Sequence, residues 1–261
     1  PDDGGGGSQD GGTGGGPDGG TGGPDGGGGV LQPGVNLLAG QLGGSGSADR
    51  VGTTARFYNP CAVATDGIGN LYVADTNNNL LRKIVLATGA VSTVAQTVGS
   101  SCGVAADGAG NLYFSDLGTY AIHKVVVATG VVTKLAGGGL GSADGVGAAA
   151  TFNSPNGLSW DVAGNLFVAD TGNHTRRQIV VATGAVTTLA GTAGMSGGAD
   201  GTGAAARFNG SYGVAADKAG NVYVADTRNH AVRRIVVSTG VVTTVAGLAG
   251  TSGNVDATGS A

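Results

Sequence analysis

The string "GNLYVAD" at Gly69 returns as "GNLYFSD" at Gly110, "GNLFVAD" at Gly164 and "GNVYVAD" at Gly220. A repeat of this kind restricts the chain to architectures assembled from one supersecondary unit. Twenty residues after each of these glycines another one opens "GAVSTVA" (Gly89), "GVVTKLA" (Gly130), "GAVTTLA" (Gly184) or "GVVTTVA" (Gly240). That interval is constant, whereas successive copies start 41, 54 and 56 residues apart. Variation in length is thus confined to the joining segments, which assigns them to surface loops.

Each unit holds four β-rich runs divided by turn residues. In the third these are "GLSW", "NLFVAD", "RQIVVA" and "AVTTLA", separated by "DVAG", "TGNHTR" and "TG". Four short strands joined by tight turns make an antiparallel meander, and a ring of such meanders is a β-propeller. The expected fold is therefore all-β: a β-propeller of four-stranded antiparallel blades at about 57–95, 98–136, 152–190 and 208–246, within a domain covering 30–261. "VNLLAG" at Val35 matches the fourth-strand pattern but follows no other strand, so 35–40 is expected as an orphan N-terminal outer strand. Residues 247–261 start a further joining loop, with Asp256 where Asp49, Asp144 and Asp200 stand in the others. These features predict four complete blades in an open arc, a fragment of a larger ring.

The stretches "NLFVADTGNHTRRQI" and "NVYVADTRNHAVRRI" resemble NHL repeats, a propeller family named for its Asn-His-Leu signature, and the resemblance runs from about Val35 to Gly250. The first two copies depart from it: in "DTNNNLLRKI" and "DLGTYAIHKV", Asn79 and Tyr120 occupy the slot of His174 and His230. Related propellers include calcium-dependent lactonases and zinc lyases, so the resemblance also implies a hydrolase or lyase as an alternative activity.

The acids test that alternative. All 17 acidic residues are aspartates, and each has a place. Five lie in the first 29 residues, four close first hairpins (Asp66, Asp107, Asp161, Asp217), four end second strands (Asp75, Asp116, Asp170, Asp226) and four sit in joining loops. Seven residues after each strand-end acid comes Arg82, His123, Arg177 or Arg233, so Asp170 and Arg177 are expected to form a brace within the blade. An enzyme site is built from side chains that break a repeat to converge on one atom, and no acid or imidazole is left over for that. No catalytic residue, cofactor or metal is expected: zinc needs three or four converging ligands, and one carboxylate per loop is far short of a calcium site.

The loops "GSADRVGTTARF", "GSADGVGAAATF" and "GGADGTGAAARF" place Asp49, Asp144 and Asp200 eight residues before Phe57, Phe152 and Phe208. They read as self-structured loops whose Phe plugs between blades. In a propeller they share one face with the turns between second and third strands. Tyr120, Asn156, Tyr212 and Arg228 differ from their counterparts and are expected on that face, which makes them the ligand-binding candidates. Trp160 also breaks the repeat, as a ligand contact or a core filler.

A net charge of −4 and a pI near 5.1 provide no basic face for nucleic acid. No run of 18 apolar residues is long enough to span a bilayer. Residues 1–29 contain nothing aliphatic or aromatic to bury and are expected to be a disordered leader. They resemble the tether of bacterial envelope lipoproteins, with a lipid anchor upstream of Pro1. Cys61 and Cys102 each stand eight residues before a "GN" glycine, in equivalent slots of consecutive innermost strands, and are expected to form a disulfide in an oxidising compartment. The sequence thus points to a non-enzymatic recognition or scaffolding module, extracellular or in the bacterial envelope, binding a protein, peptide or glycan. The alternative is a hydrolase or lyase whose catalytic residues lie partly in further blades.

Overall fold

A computed structural model describes residues 36–253 of the chain. The expected leader 1–29, Val35 and the tail bearing Asp256 lie outside the described residues. Four antiparallel sheets follow one another; in each the four blade strands are ordered as in the sequence, and in the third and fourth a short preceding strand is added at the outer edge. Blade 1 comprises β1 (Pro60–Thr65), β2 (Asn70–Asp75), β3 (Leu80–Val85) and β4 (Ala90–Gln96). Blade 2 comprises β5 (Val104–Ala106), β6 (Asn111–Asp116), β7 (Ala121–Val126) and β8 (Val131–Gly137). A short strand β9 (Gly145–Val146) leads to blade 3, made of β10 (Pro155–Trp160), β11 (Asn165–Asp170), β12 (Thr175–Val180) and β13 (Ala185–Ala190). Likewise β14 (Gly201–Thr202) leads to blade 4, made of β15 (Gly213–Ala216), β16 (Asn221–Asp226), β17 (Ala231–Val236) and β18 (Val241–Ala246). Among the described residues no helix is long and apolar enough to cross a membrane.

The turns follow from the repeated polar residues. Asp217 accepts the amides of Ala219 and Asn221 and the side-chain amide of Asn221, closing the first hairpin of blade 4. The Asn221 bonds hold its carboxyl below the ordinary carboxylate range. Asp66, Asp107 and Asp161 repeat this arrangement. The second hairpin turns through a single 3-10 turn in blades 1, 3 and 4 and through a plain turn in blade 2, and it ends on a left-handed residue, Asn79, Tyr120, His174 or His230, with φ between 54° and 58°. Local side-chain capping of this kind is why Asp and Asn dominate such positions.

Three of the four core clusters lie between blades, and the fourth joins blade 1 to the segments that precede it. Tyr113, Ile122 and Ala136 of blade 2 pack on Leu158, Leu166, Val168 and Ile179 of blade 3. The alternate residue Phe167 turns to Phe208, Val222 and Val224 on the other side. In β11 both faces are covered and every residue after Asn165 is buried. In β16 burial alternates and Ala225 is exposed, because blade 4 has a covered and an uncovered face. Val63 of β1 is likewise 61% exposed. The innermost strands pack in succession, β1 on β5, β5 on β10 and β10 on β15, and the four sheets do not close into a ring. Gly157 is required here: its amide donates to the Tyr212 carbonyl at 2.9 Å, and a Cβ would collide with that oxygen.

The expectation of a strand at 35–40 needs correction. Residues 36–40 carry no strand pairing, because a β-strand exists only by its ladder and the described residues supply no inner neighbours. Their position is nevertheless that of an outer strand. The Leu38 carbonyl lies against Gly89 as that of Leu135 lies against Gly184 and that of Leu189 against Gly240. The Gly40 amide donates to the Gly52 carbonyl as Gly191 donates to Gly203.

Cys61 and Cys102 form a disulfide between β1 and the start of blade 2, with Cα atoms 5.1 Å apart. Closing 41 residues of chain should stabilise the fold by about 4 kcal/mol on the chain-entropy account. The Cys61→Ser/Cys102→Ser double variant is expected to lose stability of that order in urea titration. A loss below about 1 kcal/mol would contradict the estimate.

Candidate functional site

The acids and bases singled out by the repeat are sequestered in structural clamps. Arg82, Arg177 and Arg233 are fully buried, and each donates from Nη1 to the strand-end Asp75, Asp170 or Asp226, at 2.8, 2.9 and 3.0 Å. The expected brace is thus present. A second carboxylate completes it: Nη2 of the same arginines donates to Asp49, Asp144 or Asp200 of the joining loop, at 2.6, 2.8 and 2.7 Å. The loop acid also accepts the amide of Thr93, Thr188 or Thr244 on the outer strand. Phe57, Phe152 and Phe208 lie under the guanidinium groups at 5.1 to 5.4 Å, and Phe152 and Phe208 are fully buried. The signature asparagines Asn78, Asn173 and Asn229 donate both to the strand-end acid and to a loop carbonyl. Burial raises the Asp170 carboxyl above its ordinary value, against the pull of Asn173, Asn153 and Arg177.

Blade 2 lacks the long loop, and every residue that would engage it is changed. His123 replaces the arginine and stacks on Phe114 at 5.0 Å. Thr119 replaces the asparagine and donates to Asp116 at 2.7 Å. The disulfide sits at this same shortened junction.

Three of the four ligand candidates come together. A cavity of about 510 Å³ is lined by Ser154, Asn156, His174, Gly210, Tyr212 and Arg228 among others; Asn156 lies near the start of β10, and the other five come from turns or joining segments. A second cavity of about 400 Å³ runs between the innermost strands past Cys61, Cys102 and Gly157, and Asn156 and Tyr212 line both. Tyr120 lines neither; it ends the corresponding turn of blade 2. Trp160 is a core residue, stacked on Tyr113 at 5.4 Å. His174 enters the cavity lining through the turn that makes its φ 58°. Burial lowers its pKa, and the charges of Arg176 and Arg228 act in the same direction. Its ring is therefore neutral at pH 7 and can exchange hydrogen bonds without carrying charge. Among the described residues no group of three His, Cys, Asp or Glu side chains could hold a metal ion.

Two features escape a reading of the sequence alone. Arg176, adjacent to the clamp arginine, is fully buried between blades 3 and 4, 4.6 Å over the Phe208 ring. Desolvation pushes its pKa down to about 10. The other is Gly210, over which the stem of Arg228 lies. Aligning the copies gives a signal for this pair, because the same two slots hold Ser154 and Gly172 in blade 3.

A family model described as NHL repeat matches residues 213–235. NHL repeat-containing protein 2 of Bos taurus is 36% identical over 102 residues, which is 38% of this chain and 14% of that protein. An auxiliary nutrient binding protein from Bacteroides ovatus superposes with a TM-score of 0.59 at 18% identity, over 75% of this chain and 49% of that one. A virginiamycin B lyase from Staphylococcus aureus, solved with quinupristin, superposes with a TM-score of 0.52 at 13% identity, over 73% and 57%. The chain therefore spans a seventh of the curated relative's length and about half of these solved chains.

Two expectations follow from the clamps. Arg177→Ala would leave Asp170 buried without its cation and should cost about 3–5 kcal/mol, whereas Asp144→Ala removes a partner that is 49% exposed and should cost about 1–2 kcal/mol. Equal losses in urea titration would contradict this asymmetry. Burial also depresses the pKa of His123, opposed by Asp116 and assisted by Lys134. The folded protein then binds a proton there more weakly than the unfolded chain. The stability contributed by the neutral ring is complete above about pH 6.5 and is lost as pH falls through the depressed value. His123→Gln should flatten the decline of Tm below pH 6.5; an unaltered Tm–pH profile would refute the assignment.

Proposed function

We propose that this chain, which carries an NHL repeat match at 213–235, is a non-enzymatic recognition module, extracellular or in the cell envelope, that holds a protein, peptide or glycan at the cavity of about 510 Å³, the mouth cavity. The observation that carries this reading is the convergence of Asn156, Tyr212 and Arg228, three residues that break the repeat, on one cavity. The repeated acids and arginines are meanwhile engaged in the clamps and hairpins. The Cys61–Cys102 disulfide supports an oxidising compartment, with the glycine-rich stretch 1–29 as a tether. Tyr120 is the outlying candidate, placed to meet a ligand that extends over blade 2.

The same fold carries a ligand-binding protein and a lyase among the solved structures, so a second reading deserves its own observation. His174 lines the cavity and its Nδ1 has no partner, which would suit a proton-transfer role completed by residues of further blades. Against it, the described lining of the cavity includes no carboxylate.

Arrays of immobilised glycans and peptides would separate the readings. The full chain is expected to retain at least one ligand. The Tyr212→Ala/Arg228→Ala variant should lose about tenfold or more in affinity for it, while Lys218→Ala in the exposed β15–β16 turn should behave as wild type. Binding that ignores the double variant, or conversion of the bound ligand to product, would overturn the proposal.

A further inference from the structure

The chemistry of the mouth cavity is more selective than recognition alone requires. Among the described residues, Arg228 is the one lining residue with a full charge at neutral pH, and it is exposed with no hydrogen bond or ion pair from its guanidinium to any of them. No carboxylate is among the described residues lining the cavity, and the strand-end acids of the adjoining blades, Asp170 and Asp226, are fully buried in their clamps. The position of Arg228 is built. Facing it is Gly210, at φ 54°, where a Cβ would stand 2.6 Å from Arg228 Cδ and 2.8 Å from Nε. In blade 1 the matching slots hold Asn59 and Asn77, hydrogen bonded to each other at 3.4 Å. In blade 3 the bulk is exchanged, with Ser154 opposite Gly172. Only in blade 4 is a long cation laid across an emptied position.

Apart from Arg228, Leu117 and two glycines, the described lining is polar and neutral, with the phenol of Tyr212 and the imidazole of His174 as its rings. Tyr212 is 47% exposed. Asn156 is 7% exposed; its Nδ2 donates to the Ser154 carbonyl at 3.0 Å, and its Oδ1 accepts no hydrogen bond from the described residues. Leu117 is the only aliphatic side chain in the described lining, so the described residues form no apolar anchor pocket of the kind that usually dominates peptide recognition. A ring face, an amide acceptor and a forked cation are complementary to a pyranose with an acidic substituent. The sugar's C–H face packs on the aromatic ring, a hydroxyl donates to the amide oxygen, and the carboxylate takes two parallel bonds from the guanidinium. A volume of about 510 Å³ lies in the range of small-ligand sites.

We propose that the mouth cavity binds a carboxylate-bearing sugar, with Arg228 pairing the carboxylate, Tyr212 stacking on the ring and Asn156 accepting a hydroxyl. This rests on the recognition reading above and narrows it to one ligand class.

Isothermal titration of the full chain with digalacturonic acid, its dimethyl ester and trialanine tests the assignment. The acid should bind about tenfold or more tightly than the ester, the gain typical of a charge-assisted pair. Arg228→Gln should abolish that preference and Arg228→Lys should restore part of it. Gly210→Ala, which displaces the arginine stem without changing the cation, should reduce it. Trialanine should bind no better than the ester. Circular dichroism checks that each variant is folded. The proposal is overturned if the acid does not bind, if acid and ester bind equally, if the preference survives in Arg228→Gln, or if trialanine matches the acid, which would make this a peptide-carboxylate site. Failure of the broader reading is distinct: there, no glycan or peptide on the arrays depends on Tyr212 and Arg228.

Discussion

A guanidinium withdrawn completely from water, held between one acid at the end of its own hairpin and another in the preceding loop, is the interaction on which three of the four blades depend. A buried charge is tolerable only with its partners in place, so each arginine obliges two separate segments to be folded around it. The cost of desolvation is visible in Asp170, whose carboxyl is raised in spite of its cation 2.9 Å away. Such a pair is therefore a poor source of net stability and a strong determinant of arrangement. It fixes the register of the third strand, the seat of the loop and the position of the Phe beneath. All three loops also pair with the outer strand of the blade they precede, Val51 with Ala90 of β4, β9 with β13 and β14 with β18, which covers an edge otherwise open to association.

Blade 2 shows that these residues behave as one device. Without the long loop there is no second acid, and arginine, asparagine and plugging Phe are absent together. A lone guanidinium in that slot would have only Asp116 to answer it; an imidazole can be buried neutral. The junction is joined covalently instead, through Cys61 and Cys102.

Much of this architecture is legible in the sequence because the repeat reports it four times. The invariant twenty-residue interval encodes two hairpins of fixed length, and the seven-residue spacing of Asp170 and Arg177 encodes the brace across the second of them. The second clamp acid is less accessible to such reading. Asp144 lies 33 residues before Arg177, and their meeting depends on how the loop seats against the outer strand, which no local pattern announces. Arg176 is hidden for another reason. Alternation along a strand would send it to solvent opposite Arg177, but both faces of blade 3 are covered, so the alternate residue is buried as well. The segment 36–40 marks the limit of matching patterns: its residues take the outer-strand position, yet strand structure requires partners that a pattern does not supply. At the cavity, departure from the repeat leads to Asn156, Tyr212 and Arg228 in one lining, whereas Tyr120, which takes the left-handed slot of its own turn, lies outside it.

The loop that supplies the outer acid and the Phe always precedes the blade it secures. Asp49, Asp144 and Asp200 are all placed before the strands that will close on them. During synthesis, the groups needed to neutralise each arginine have therefore emerged before the arginine itself. A blade can be completed when its fourth strand appears, without waiting for chain still to come. Contacts remain near in sequence, which favours rapid ordering, and assembly acquires a direction from N-terminus to C-terminus, each finished blade offering its face as the template on which the next one packs.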